Sequence, residues 1–232
     1  MRYVVRTVTD AQARIRQCLV DLGNTSWTTV IRERYLIKIK RADVETALGS
    51  AWLINNVCSF YLKLLGEAST RDTTGRLPRV WSFTTDLVDT LLSSTPNNTA
   101  KFTWGLDIWA WEVVFVPVLV RAHYTLVVFR PRSGELFYLD SLGKYDVQVV
   151  AAVASFLDGE HLRRFGVPMP RLVKYSVGTL PRQHNNDDCG FFLISYARCI
   201  ATRRSMNFTQ RDMPAIRCRV IYEVCNLELL DV

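Results

Sequence analysis

"HYTLVVFRPRSGELFYLD", residues 123 to 140, contains two short runs rich in β-branched and aromatic residues, separated by "PRSG". Such runs favour pleated strands, and Pro, Ser and Gly between them favour a tight reversal, so the stretch predicts an antiparallel hairpin. Pairing residues 124 to 130 with 135 to 140 across that turn makes partner numbers sum to about 265, which sets Asp140 opposite residue 125. His123 then becomes a diagonal neighbour of Asp140 on the same face, within roughly 7 to 8 Å between backbones. An imidazole and a carboxylate meet at one end of a sheet. A one-residue slip in register would send them to opposite faces.

Outward from the hairpin the period changes. "VVFVPVL" (113–119) and "RLVKYS" (171–176) read as further strands, as does "YLIKIK" (35–40). Helical spacing appears elsewhere. Residues 10 to 22 align Ala11, Ile15, Leu19 and Leu22 and close at Gly23. "WLINNVCSFYLKLL" (52–65) predicts a helix ending at Gly66, "SFTTDLVDTLL" (82–92) another, and "QVVAAVASFL" (148–157) a third. Two more follow residue 189, the last opening at Pro214 with Ile216, Val220, Val224 and Leu227 at core-packing intervals. The expected class is α+β, a small central sheet flanked by helices.

Composition narrows the function. The 232 residues, 49% hydrophobic and 22% charged, suffice for one core, and no Gly, Ser or Gln tract marks a linker or disordered tail. One domain over 1–232 is expected. The most apolar window, "VVFVPVLV" (113–120), stops at Arg121, far short of the roughly 20 residues that span a bilayer. The opening "MRYVVRTVTDAQARIRQ" has no signal-peptide core, so a soluble protein with reduced cysteines is expected. Six cysteines without a CxxC pair, and three histidines, argue against a zinc site, so neither metal nor cofactor is expected. The net charge of +7 is scattered and accompanies no RRM, zinc-finger or Walker pattern, which makes nucleic acid a poor candidate for the main partner.

A second stretch supplies what the hairpin lacks. "RQHNNDDCGFF" (182–192) crowds polar residues ahead of Cys189 and then turns apolar in "GFFLISYARCI". A cysteine there sits at a helix start, where the dipole and a nearby imidazolium favour a thiolate. Gly190 would leave room for a substrate backbone, and the amide of Gln183, with the Cys189 N–H, could donate to a developing oxyanion. The plainer alternatives are a buried small hydrophobe for Cys189 and a turn hydrogen bond for Gln183. His184, though near the cysteine in sequence, reads as a solvent-facing loop residue.

The blocks "AHYTLVVF", "FYLDSLG", "LPRQHNNDDCG" and "NFTQRDMPAIRCRVIYEV", in that order, closely resemble the catalytic domain of the Ulp/SENP cysteine proteases, which process SUMO and cleave it from modified proteins. The resemblance covers roughly residues 10 to 230 and includes "AWLINNVCSFYLKLL", similar to the family's WLND helix, and "VWSFTTDL". It implies a papain-like α+β fold with His123 as general base, Asp140 as its orienting carboxylate, Cys189 as nucleophile and Gln183 as oxyanion donor. Trp52 and Tyr124 would roof a tunnel for the modifier's Gly-Gly tail. Family members usually carry Trp where this chain has Tyr124, and Asp where it has Asn55, a position that in the resemblance pairs with an Arg on SUMO. Phe102 falls where the family has a Trp before the third strand.

The resemblance therefore implies a SUMO-directed isopeptidase or endopeptidase, monomeric, with SUMO or a related ubiquitin-like protein and its conjugates as partners, acting in the nucleus or cytoplasm. A protease for another ubiquitin-like modifier is the nearest alternative, and an acetyltransferase using the same His, Asp and Cys order a distant one. A catalytically silent module that binds a modifier or nucleic acid is the alternative from another class.

Overall fold

The computed structural model describes residues 25–93 and 99–230, together with the single positions 13 and 17. The helix expected over residues 10 to 22 otherwise lies outside the described residues. β1 (Val30–Arg34) and β2 (Ile37–Lys40) form an antiparallel hairpin. The sequence pattern marked only the second of these strands, because "VIRER" alternates weakly and carries mostly charge. α1 (Arg41–Leu48) follows directly, its first turn tied by the Lys40 N–H donating to Asp43 Oδ2 at 2.8 Å.

α2 (Asn55–Arg71) runs one turn beyond its expected stop at Gly66. Gly66 does not end the helix because its role is steric. A Cβ there would meet the Val80 carbonyl oxygen at 3.1 Å, so glycine lets the helix lie against β3 (Val80–Ser82). That strand was not expected and shares only Ser82 with the stretch assigned to a helix; the helix itself, α3 (Asp86–Leu92), starts four residues later than expected.

The sheet is completed by β4 (Val113–Val120), β5 (His123–Arg130), β6 (Glu135–Leu139) and, beyond α4 (Val147–Phe165), β7 (Val173–Ser176). Strand order is β3-β4-β5-β6-β7. The inner three strands are antiparallel, while β3 and β7 add in parallel at the edges. Leu126 pairs with Leu139 and Val127 with Tyr138, the register read from the "PRSG" turn. Pro117 in β4 lies past Phe115, the last residue that β3 covers, where a missing N–H costs no ladder bond. The chain then forms α5 (Cys189–Ala201) and α6 (Met213–Asn226).

Both sheet faces are covered, which explains why β4 and β5 read as near-continuous apolar runs. Phe115, Tyr124, Leu126 and Val128 join a core with α2, α5 and α6. Val114, Val116, Val127 and Phe129 join a second core with α3 and α4. Among the described residues no helix is long and apolar enough to cross a membrane.

Candidate active site

Three elements converge at one end of the sheet. β4 and β5 are joined by Arg121 and Ala122, both left-handed at φ 51° and 61°, so His123 opens β5 immediately after a tight turn. Asp140 follows the last residue of β6, and Cys189 is the first residue of α5. His123 Nε2 and Asp140 Oδ1 lie 2.6 Å apart, so the diagonal contact inferred from the hairpin register is realised. The other ring nitrogen is left for Cys189, whose side chain lies near enough to favour the charged ring.

Electrostatics follow from these contacts. Burial of the ring opposes its charge, but the hydrogen bond to Asp140 and the negative charge of Asp140 and nearby Cys189 outweigh it and raise the His123 pKa to about 9. Burial would likewise raise Asp140, yet the bond to His123 and the N–H groups of Leu142 and Lys144, each donating at 2.9 Å, hold it below the usual carboxylate range. A charged imidazolium thus faces the sulfur at neutral pH. Cys189, only 3% exposed, lies where the first N–H groups of α5 lack intrahelical acceptors. Sulfur, imidazole and carboxylate in this order suit acyl transfer through a thioester.

Gln183 is buried in the same place. Its Oε1 accepts from the Ser141 hydroxyl, and its Nε2 donates to the Asn185 carbonyl oxygen at 2.6 Å. The turn hydrogen bond weighed for Gln183 is therefore present, but a carboxamide has two N–H donors and only one is used. His184 is exposed, with only its backbone N–H engaged, by Gln210 Oε1 at 2.9 Å.

Trp52 and Tyr124 part company. Trp52 is 51% exposed, and its indole N–H donates at 3.3 Å to Oδ1 of Asp187, two residues before Cys189. Tyr124 is 3% exposed, buried in the α2–α5 core with its phenol donating to Asn55 Oδ1. Two of the three positions at which the chain departs from the resembling family thus touch each other. Phe102 packs partly buried against the second core. The space expected at Gly190 for a substrate is occupied: a Cβ there would stand 2.6 Å from the Leu53 Cβ, so this glycine admits a neighbour in the same chain.

Sequence reasoning missed the polar set beneath Cys189. Asp188 occupies the N-cap of α5 but caps no helix N–H. Its Oδ1 accepts from Arg217 Nε at 2.7 Å, and its Oδ2 accepts from Asn185 Nδ2 at 2.7 Å and Gln210 Nε2 at 2.6 Å. The available signal was the density of polar residues before a largely apolar helix, since buried carboxylates require partners. Among the described residues no cluster of His, Cys, Asp or Glu is arranged to hold a metal ion.

Residues 51–229 match the Ulp1 protease family, C-terminal catalytic domain. Among characterised proteins, the chain is 28% identical over 200 residues to a sentrin-specific protease of Caenorhabditis elegans, covering 85% of this chain and 28% of that protein. It is 29% identical over 213 residues to mouse sentrin-specific protease 2, covering 90% and 36%. The chain thus spans about a third of the length of these curated relatives. Among solved structures, the Chaetomium thermophilum Ulp1-like SUMO protease catalytic domain superposes with a TM-score of 0.78 at 22% identity, covering 93% of this chain and 89% of that one. The C-terminal Ulp1 protease domain in complex with Smt3, the yeast ortholog of SUMO, gives 0.76 at 15% identity, with 94% of each covered. At these identities the superpositions establish the fold.

Proposed function

The chain belongs to the Ulp1 protease family, and from that membership we propose that it is a cysteine protease cleaving after the C-terminal Gly-Gly of SUMO or a related ubiquitin-like modifier. The carrying observation is the 2.6 Å His123–Asp140 contact beside Cys189 at the start of α5. In this reading the Cys189 thiolate attacks the carbonyl carbon of the modifier's last glycine. The resulting oxyanion is held by the Cys189 N–H and the free N–H of Gln183. The His123 imidazolium gives its proton to the departing lysine amine, leaving a thioester. His123 then takes a proton from water, whose oxygen displaces the sulfur. The bond cleaved is an isopeptide bond to lysine, the peptide bond of a precursor, or both. Exposed Trp52 lines the approach of the glycine tail, while Tyr124 stays in the core, bonded to Asn55.

A modifier other than SUMO is the second reading. It is favoured by the Asn55–Tyr124 bond, because Asn55 offers no carboxylate to a cationic partner and its amide oxygen is already engaged. By family, the proposed setting is a monomer in the nucleus or cytoplasm.

SUMO, ubiquitin and other modifiers bearing C-terminal electrophiles, mixed with wild type and Cys189→Ser and read by intact mass, test the proposal. A single SUMO adduct lost in the variant is expected. Adducts only with another modifier would move the specificity, and no adduct from folded protein would sink the protease reading.

A further inference from the structure

Arg217 lies in α6, on a helix whose sequence suggests only core packing, and it is 5% exposed. Its guanidinium is fully engaged. Nε donates to Asp188 Oδ1 at 2.7 Å and Nη2 to the Asp187 carbonyl oxygen at 3.3 Å. Nη1 faces the carbonyl oxygens of Ala47, Gly49 and Ala51 at 3.2, 2.8 and 2.9 Å. One face of the guanidinium covers the Phe191 ring at 4.3 Å. A single cation therefore joins the residue before the nucleophile to the segment that leads into Trp52.

From Asp188 the chain of bonds continues. Asn185 donates its amide to Asp188 Oδ2 and accepts Gln183 Nε2 at its carbonyl, so the orientation of the Gln183 amide depends on where Asp188 is held. Gln210 ties Asp188 Oδ2 to the His184 N–H, closing the turn from the other side. Asp188 is also a buried carboxylate one residue from a sulfur that must become negative. Without a counter-charge it would oppose both the thiolate and the oxyanion.

We propose that Arg217 is a positioning residue for the acyl-transfer site, fixing the Gln183 amide and the Cys189 N–H through Asp188 while cancelling that carboxylate's charge. The proposal rests on the protease reading above. The other groups facing Cys189 are His123 and Tyr124 from β5 and Cys58 from α2, and burial pushes the last two up so that both stay neutral.

The test compares wild type, Arg217→Lys, Arg217→Met, and Arg217→Met combined with Asp188→Asn. Two readouts are used: kcat and KM on a modifier joined through its last glycine to a fluorogenic amine, and the iodoacetamide alkylation rate of Cys189 across pH. Arg217→Lys keeps the charge but loses the fork. It should lower kcat about 10- to 100-fold, short of the ~10²–10³ for outright loss of an oxyanion donor, with KM within about threefold and alkylation within about twofold. Arg217→Met should move the acid limb of alkylation to higher pH, and adding Asp188→Asn should bring it back. An unchanged kcat in folded Arg217→Lys overturns the proposal, as does a fall in kcat and alkylation that only tracks the folded fraction by circular dichroism. If wild type turns over no modifier substrate, the protease reading fails separately. The alkylation limb then decides the charge role alone: movement with reversal upholds it and a fixed limb overturns it.

Discussion

The two faces of the central sheet are built from opposite materials. Against α3 and α4 the packing is almost wholly apolar, with Leu157, Val153, Phe129 and Val116 fully buried and Glu160, paired to a half-exposed Arg163, the main charge. Against α2, α5 and α6 the core contains whole ion pairs. Arg198 bonds both Glu223 oxygens and the Tyr61 hydroxyl at 2.8 Å, and Arg217 bonds Asp188. Burying a charge pair rarely adds stability over apolar packing, so the second face trades stability for fixed geometry, and it is the face from which Cys189 emerges.

The comparison would break most sharply at the site itself. Asp140→Asn should cut kcat by ~10³ to 10⁴ through loss of ring orientation and charge, with little change in KM, as steady-state kinetics on the modifier substrate would read. Glu223→Gln strands a buried guanidinium and should cost about 3 to 5 kcal/mol in urea unfolding, while kcat per folded molecule changes little. Leu157→Ala on the apolar face should cost about 2 to 5 kcal/mol with no effect on kcat at all; a fall in kcat there would erase the division between faces.

A pH scan sharpens the contrast further. The folded His123 pKa is raised to about 9, so its charged form stabilises the fold fully below the ordinary histidine value of about 6.5. That contribution is lost as pH rises through about 9, and amide cleavage should fall over the same range because no proton remains for the leaving amine. The urea midpoint of wild type should therefore drop relative to His123→Ala between pH 6 and 10. The smallest effect is expected at Asn55→Ala, which removes the Tyr124 partner and should cost about 1 kcal/mol. A shift in modifier preference in the probe panel would show that this pair also touches the substrate.

What could be read beforehand depended on how local each feature is. The β5–β6 register and the His123–Asp140 contact followed from four turn residues, since a hairpin fixes pairing over a short span. Cys189 was marked by its polar-to-apolar border, but only the hairpin and the order of the sequence blocks set it apart from a buried small hydrophobe. β3 was lost because three residues carry too little periodicity, and it exists only through pairing with β4. Gly66 misled because a glycine that admits a neighbouring strand looks, in sequence, like one that stops a helix. Arg217 and Asp188 are 29 residues apart, and Asn55 and Tyr124 are 69 apart. No spacing rule links residues so far separated; only the packing of α5 on α6, and of α2 against β5, brings them together.

The chain order of the three reactive groups has a kinetic consequence. His123 and Asp140 belong to one hairpin and meet through contacts that close a short loop, the cheapest kind in chain entropy. The sulfur arrives only after α4 and β7 have been laid down and α5 has docked on the far side of β5, a closure of much higher contact order. Contact order therefore predicts that imidazole and carboxylate meet earlier in folding than the sulfur joins them, an order that pulsed hydrogen exchange would read. Cys189 joins the pair only at the last of these docking events, so a half-folded molecule holds imidazole and carboxylate together without the sulfur beside them.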